Sequence, residues 1–575
     1  MAHKHVSTAS PNRNGLRNKL AARLAALGRA PRVFSYHLEP RSIGSYAVGR
    51  QLMSGNFLFA GQLVEAPGSS IWAIDPPSED FAAALQGFGW LDDLAAVGDA
   101  PARKLAQRWL FEWIATAGAG KGEGWRPDLA GRRLIRWCSH ALFILKGLSP
   151  AQSRSIFRAL GRQVRYLRRR WPSAAPGQER FEALTGLLYA GISLDGCAPL
   201  VAPISATIGR ECERVIDAHG GLPTRNPEAL MESFVLLTWA ARTLAEARRL
   251  VDKRHQAALL RMAPTLRGLR LGDGALARFH GGRRGEPGRL DQALADASLR
   301  PVPRQENLMG FERLSAGRLT IVMDCAPPPK GALGINAHAS TLGFEMSSGR
   351  RPILMNCGAG GRFGADWRRA CRATAAHNTM ALERVSSSTI GAGNHGQLVA
   401  GPQNVDVTRA QDMSGTWLAA SHDGYAASFG LKHERRLFLS FDGRSFKGED
   451  ALRADDPAQR ARFTESLGDT PTLGVAFVAH FHIHPDVTPS IDLDGQAVSL
   501  TLKSNEVWVF RQEGGLLRLE DSVFLDQRRL KPRMTKQIVV MGRAVNFAGR
   551  ISWSFMRAQD GGRNTRDIAP EDETT

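Results

Sequence analysis

The sequence predicts an α+β multidomain protein, helical in its first half and built from antiparallel strands in its second. Two observations predict this. Apolar residues recur at intervals of three and four from about residue 80 to 270, and at intervals of two after about residue 300. The length of 575 residues also exceeds what one hydrophobic core organises, so at least two domains are expected.

The helical stretches come first. "DFAAALQGFGWLDDLAAV", "PARKLAQRWLFEWIATAG", "RRLIRWCSHALFILKGL", "SRSIFRALGRQVRYLRRRW", "RFEALTGLLYAGISL", "ISATIGRECERVIDAHG" and "PEALMESFVLLTWAARTLAEA" follow one another, most of them ending at or beside Gly, Pro or Ser-Pro. Hairpins of such helices give a bundle, a solenoid or a closed toroid. Trp109, Trp113, Trp125, Trp137 and Trp171 fit core packing, with stacking on sugar rings as the other use of such residues.

The strands follow. "GRLTIVMDCA", "STLGFEM", "RPILMNCG", "NTMALERV", "RRLFLSFDG", "GVAFVAHFHIHPDV", "AVSLTLKS", "EVWVFRQ" and "KQIVVMG" alternate and are parted by Gly, Asp, Asn and Ser turns, the pattern of a sandwich. The expected division is a basic segment over 1–34, a helical domain over 35–300, a β-sandwich over 301–560 and a tail over 561–575. The boundary lies near "RPVPRQENLMGFERL".

A net charge of +20 implies attraction to something anionic: nucleic acid, a membrane surface or an acidic polysaccharide. No RNP, zinc-finger or helix-turn-helix signature supports nucleic acid. Six scattered cysteines form no CxxC pair, which argues against a disulfide framework. The first 32 residues hold seven Lys/Arg and no acid, and they lack the apolar core of a secretory signal. Leu16, Leu20, Leu24 and Leu27 share a helical spacing with Arg17, Lys19 and Arg23. Such a helix either packs on the body or rests on a membrane surface. The cytoplasm or the inner face of its membrane is the expected compartment.

Three stretches carry a family resemblance. "NAHASTLGFEMSSGRRPILMNCG", "WRRACRATAAHNTMAL" and "HDGYAASFGLKHERRLFL" together resemble the C-terminal domain of heparinase II/III-type polysaccharide lyases across roughly residues 305–455. The resemblance implies an (α/α) toroid ahead of the sandwich, with a cleft between them. It also implies β-elimination on a uronic-acid polysaccharide, and the cell envelope as an alternative compartment. Elimination needs a group that neutralises the uronate carboxylate, a base for the C5 proton and an acid for the departing oxygen. In the family an Asn or His neutralises, and a Tyr and a His serve as base and acid.

This chain departs from that pattern. Arg180, Phe181 and Glu182 stand near the neutralising position, and the helix after "TRNPE" holds no Tyr. The first His of the His-x-His element is Asn336, and the hairpin Asp is Asn356. Asn336 and the loop histidine His219 are the catalytic candidates. Arg225, Asn226 and Glu228 are the substrate-binding candidates, although Asn226 and Pro227 equally suit a helix start. The resemblance places a structural zinc on His338, Asn356 and His377, a set that Asn weakens because it brings no charge.

Tyr425 and His433 match sandwich positions that favour packing. His480, His482 and His484 share one strand face, as a solvated ladder or a metal site. "GAGG" at 358–361 lacks the lysine of a phosphate loop. Two readings remain: a lyase for an anionic polysaccharide, or a divergent glycan-binding relative without the elimination chemistry.

Overall fold

Several helices of the N-terminal half begin where a capping residue precedes an apolar repeat. Asp99 caps Ala102 N–H at 2.8 Å, and Ser149 forms a capping box with Gln152. The computed structural model describes residues 11–299, 304, 306–392, 396–468, 473–526 and 529–559. The main helices are α1 (Pro11–Leu24), α2 (Ala100–Thr116), α3 (Pro127–Ser139), α4 (Pro150–Arg170), α5 (Gln178–Ser193), α6 (Val201–Val215), α7 (Pro227–Glu246) and α8 (Lys253–Gly268). The stretch expected as one helix over 80–97 is two, Glu79–Gln86 and Trp90–Val97. Phe88 between them has φ of 60°, which no α-helix accommodates.

Packing divides the chain into two units. The first holds residues up to Ile216, Glu232–Leu260 and Gln292–Ser298, and it is helical apart from a hairpin of Asn56–Phe59 with Gln62–Glu65. Here α3 and α5 touch backbone to backbone. A Cβ on Gly131 would sit 2.2 Å from the Glu182 carbonyl oxygen, and one on Gly186 would sit 2.5 Å from that of Gly131. Trp90, Trp109, Trp113, Trp125 and Trp137 are buried, with Trp113 and Trp137 edge to face at 5.8 Å. They form core and offer no sugar platform.

The second unit holds Asp217–Met231, Arg261–Asp291 and residues from Leu299 onward. The expected boundary at 300 thus leaves out two segments that pack with the strands. Arg225, Arg278 and His280 anchor them, through polar contacts described below.

The labelled strands of this unit are β1 (Phe311–Ala316), β2 (Leu319–Asp324), β3 (Phe344–Ser348), β4 (Arg351–Leu354), β5 (Met380–Leu382), β6 (Val405–Gln411), β7 (Gly415–Tyr425) and β8 (Leu431–Ser440). They continue with β9 (Ser445–Arg453), β10 (Val475–His482), β11 (Val487–Asp492), β12 (Ala497–Leu502), β13 (Val507–Glu513), β14 (Leu516–Phe524), β15 (Arg533–Ala544) and β16 (Ala548–Gln559). An eight-stranded sheet runs β6-β7-β8-β9-β16-β13-β12-β11, and four-stranded sheets run β14-β15-β10-β5 and β1-β2-β3-β4. Every pairing among them is antiparallel. Their inward residues, such as Ile321, Phe344, Phe446, Phe481, Trp508, Ile538 and Phe555, make one core. Alternation sets this: Leu431, His433, Arg435, Leu437 and Leu439 of β8 point in, while their neighbours point out.

Two of those inward residues are polar, and they meet Asp450 of β9. Arg435 donates to both Asp450 carboxylate oxygens at 2.7 and 3.0 Å, His433 Nε2 lies 2.7 Å from the same group, and Trp553 Nε1 donates to it at 2.8 Å. Burial alone would raise the Asp450 pKa, but Arg435 and the hydrogen bonds from His433 hold it below the ordinary carboxylate value. The six cysteines are free thiols. Among the described residues no helix is long and apolar enough to cross a membrane.

Removing one member of this pair leaves the other charged and dry. Asp450→Ala is expected to destabilise the protein by about 3–5 kcal/mol, seen as a lower urea midpoint. The double change Arg435→Met/Asp450→Leu is expected to cost less than the single one. An unchanged midpoint in Asp450→Ala contradicts this account.

Candidate functional site: a buried histidine cluster

Two stretches singled out in the sequence lie alongside each other. Ala339 N–H donates to the Arg372 carbonyl at 2.8 Å, and Arg372 Nε donates to the Ala337 carbonyl at 2.8 Å. Thr374 Oγ1 donates to the Ala339 carbonyl at 2.9 Å. This pairing brings His338 onto His377, with Nδ1 and Nε2 only 3.0 Å apart. His280 completes the cluster, its Nδ1 accepting the His338 backbone N–H at 3.2 Å.

The hydrogen-bond partners assign the protons. His377 Nδ1 faces the Ala373 carbonyl at 2.9 Å, so it carries the proton and Nε2 accepts from His338 Nδ1–H. The lone pair of His338 is therefore on Nε2, which has no hydrogen-bond partner among the described residues. His280 carries its proton on Nε2, which lies 3.4 Å from Asp324 Oδ2.

Burial keeps these rings neutral. It pushes His377 down to about 3 and His338 well below the ordinary histidine value, with His377, His280, Arg372 and Arg368 opposing a charge on His338 further. His280 is lowered by burial too, against the pull of Asp324. Burial would raise Asp324, but Arg225, His280 and Ser340 outweigh it and leave it strongly lowered. Such a cluster can accept a hydrogen bond at His338 Nε2. It is a poor proton acceptor at neutral pH.

Arg225 is committed to structure. It has φ of 50° and is buried, and its guanidinium pairs with Asp324 at 2.5 Å. It also donates to the carbonyls of Met309, Gly310, Ala326 and Pro327 at 2.8 to 3.1 Å. Asn226 opens α7: its Oδ1 accepts Ala229 N–H and its Nδ2 donates to the His280 carbonyl, both at 3.1 Å. Glu228 pairs with Arg283 Nε at 2.7 Å. Asn336 is exposed, with Arg368 donating to its Oδ1 at 2.9 Å. His219 is exposed, and its backbone carries its hydrogen bonds, to Asp217, Thr265 and Arg304. Of the eight candidates the structure brings His338 and His377 into direct contact, and it gives His219 no hydrogen bond to the cluster.

Asn356 belongs to a different arrangement. Its Oδ1 accepts Asn378 N–H at 3.1 Å, and its Nδ2 reaches toward the Arg278 carbonyl at 3.4 Å. Arg278 pairs with buried Glu345 at 3.3 Å, and Glu345 accepts the Asn356 backbone N–H at 3.1 Å. Zinc needs deprotonated donors about 2.0–2.1 Å away in a tetrahedron. Here only two imidazoles converge, and the third group is an uncharged amide whose oxygen and nitrogen are already bonded to backbone. This donor set does not fit zinc. Among the described residues no group of three His, Cys, Asp or Glu side chains could hold a metal ion.

The other histidines also hold structure. His480 and His482 stack with rings 5.9 Å apart, His480 contacting Gln537 at 3.1 Å, and His482 contacting Ser522 at 2.8 Å and the Ala375 carbonyl at 2.9 Å. Buried His484 lies 3.9 Å from Asp486. Tyr425 donates to the Met380 carbonyl at 2.8 Å. Sequence reasoning did not assign His280, Asp324 or the pair Arg278–Glu345. "RFHGG" held a signal for His280, a polar residue at φ of 48° beside glycine, but its partners lie 44 to 58 residues away.

Residues 303–554 match the sequence profile described as Heparinase II/III-like, C-terminal. The whole chain shares its fold, an (α/α) toroid followed by an antiparallel β-sandwich, with Heparinase III (TM-score 0.66, 10% identity, 98% of this chain and 89% of that one). It is also similar to heparan sulfate lyase HepC from Pedobacter heparinus (TM-score 0.58, 14% identity, 95% and 89%). A further relative is FtsZ-localized protein C of Caulobacter vibrioides (strain NA1000 / CB15N), 29% identical over 545 residues, covering 91% of this chain and 89% of the relative.

Neutral buried histidines give stability a pH dependence of known sign. Unfolded histidine titrates near 6.5, whereas folded His377 is held near 3 and His255 and His482 near 4. Within that window the unfolded chain binds more protons. Stability is therefore complete above about pH 6.5 and is lost as pH falls, by up to about 1.4 kcal/mol per pH unit for each ring. The melting temperature is expected to drop from about pH 6.5 downward, ahead of the carboxylate range; a flat profile to about pH 5 contradicts this.

The donor chemistry has its own test. Metal analysis of purified protein is expected to find no stoichiometric zinc, and Asn356→Asp to raise zinc affinity by supplying the missing charge. Stoichiometric zinc in the unaltered protein refutes the misfit.

Proposed function

We propose that this protein is a non-eliminating member of the heparinase II/III-like fold that associates with FtsZ at a membrane surface. The observation that carries this reading is the 29% identity to FtsZ-localized protein C, sustained over 91% of the chain.

The side chains support the loss of elimination. Tyr425 is the one tyrosine beyond residue 189, and it is buried, with burial raising its pKa far above that of free tyrosine. Near the expected neutralising position Arg180 pairs with Glu211 at 3.2 Å, Glu182 with Arg132 at 2.8 Å, and Phe181 is core. Arg225, the substrate-binding candidate with the strongest charge, is bound to Asp324. The second reading, a lyase for a uronic-acid polysaccharide, draws support from the shared fold, the profile match over residues 303–554 and the net charge of +20.

The membrane part rests on α1 and the turn after it. One face of α1 packs inward through Asn18, Ala21 and Ala22, while Leu16, Leu20, Leu24 and Leu27 are 48 to 75% exposed beside exposed Arg17 and Arg23. Apolar anchors among cations suit an anionic lipid surface.

One sedimentation assay with the purified full chain tests the reading. The chain is expected to pellet with FtsZ polymers assembled in GTP, and with vesicles of phosphatidylglycerol. A Leu16→Glu/Leu20→Glu variant is expected to lose the vesicles and keep the polymers. In parallel, acidic polysaccharides are expected to develop no ultraviolet absorbance from unsaturated uronate. Absorbance that grows with time establishes the lyase instead, and absence from both pellets removes the FtsZ reading.

A further inference from the structure

The outer face of the eight-stranded sheet holds a groove of about 1040 Å³ that the histidine cluster does not touch. Strand register builds its floor. Trp417 lies opposite Phe438, Phe438 opposite Lys447, Lys447 opposite Ser554, and Ser554 opposite Arg511, a row across β7, β8, β9, β16 and β13. At about 4.8 Å per strand the row spans roughly 19 Å. The next row on the same face carries Arg436, Glu449, Ser552 and Glu513. Both rows point away from the core because Phe446, Trp553 and Phe555, their neighbours along the strands, point into it.

Each feature narrows the ligand. Trp417 is 42% exposed, its indole N–H is donated to Asp412 at 2.7 Å, and its ring contacts Phe438 at 4.6 Å between centroids. The ring plane is therefore set before any ligand arrives. Ser552 and Ser554 are short, so the middle of the groove stays deep and polar. Leu516 and Gln496 also line it. The charged side chains of the lining are Arg436, Lys447 and Arg511 against Glu449, Asp494 and Glu513, a formal balance of zero in a chain of net charge +20. An acidic peptide would call for a cationic lining, and an amphipathic helix for an apolar floor. A pyranose ring has an apolar C–H face and a rim of hydroxyls that both donate and accept. An aromatic plate edged with arginine, lysine, glutamate, glutamine and serine matches it.

We propose that this groove binds an uncharged oligosaccharide, with one ring stacked on Trp417 and its hydroxyls held by Lys447, Ser554, Arg511 and Glu513. This does not rest on the FtsZ reading, and FtsZ sedimentation by the variants below reports on that reading separately.

Calorimetric titration of the full chain with cellotetraose, chitotetraose and maltotetraose tests it. At least one is expected to bind, with affinity changing less than about twofold between about 50 and 500 mM NaCl, since no net charge is neutralised. Trp417→Ala is expected to weaken binding by about tenfold or more through loss of the stacking face. Ser554→Tyr, which fills the floor without touching the core, is expected to abolish it. This second variant decides the matter if the first fails to fold. The proposal is overturned if none of the three sugars binds, or if both variants bind as the unaltered protein does. It is equally overturned if a polyglutamate peptide binds in a salt-sensitive way while the sugars do not, which assigns the groove to an acidic partner.

Discussion

Much of the second unit hangs on the buried guanidinium of Arg435. Two of its hydrogen bonds go to Asp450 on the neighbouring strand, and two more, at 2.6 and 2.7 Å, go to the carbonyls of Leu342 and Asn378. Leu342 lies four residues after His338, and Asn378 follows His377 directly. One side chain of a central strand thus fixes the two loops that carry the histidine pair. An ion pair this deep is no cheap source of stability, because both charges lose their water. What it supplies is geometry: four directed bonds that a leucine or methionine in the same volume lacks.

The same economy recurs around the cluster. Arg225 binds Asp324 and four carbonyls, Arg372 binds the Ala337 carbonyl, and Arg278 binds Glu345. Positive charge in this unit closes loops by capping carbonyl oxygens that no strand partner reaches. The imidazoles inside this frame stay neutral because the surrounding arginines and the dry interior both oppose a second charge. The fold shared with heparinases is kept by these contacts, and none of them requires the acid, base or neutralising group of an elimination.

Period and punctuation made the architecture legible. The switch from a spacing of three and four to one of two separates helices from strands, since each spacing puts apolar residues on one side of one kind of element. The family resemblance set His338 and His377 at one site, and their two stretches are hydrogen-bonded to each other. The segments 217–231 and 261–291 were not readable as parts of the strand unit, because nothing in their helical spacing records which carbonyls Arg225 and Arg278 would cap. Phe88 hid in the same way: a bulky residue at positive φ looks like one more helical position until the chain turns there.

By itself, then, the sequence determined the order of helices and strands and the inward and outward faces of the alternating ones. Those properties depend on neighbours a few residues away. Tertiary structure alone decided that Arg225 is a strut, that Asn356 faces Asn378 and Arg278, and that Trp417, Lys447 and Arg511 line one groove. Hydrogen bonds and strand register join residues tens to a hundred positions apart, and side-chain spacing along the chain carries no record of those meetings.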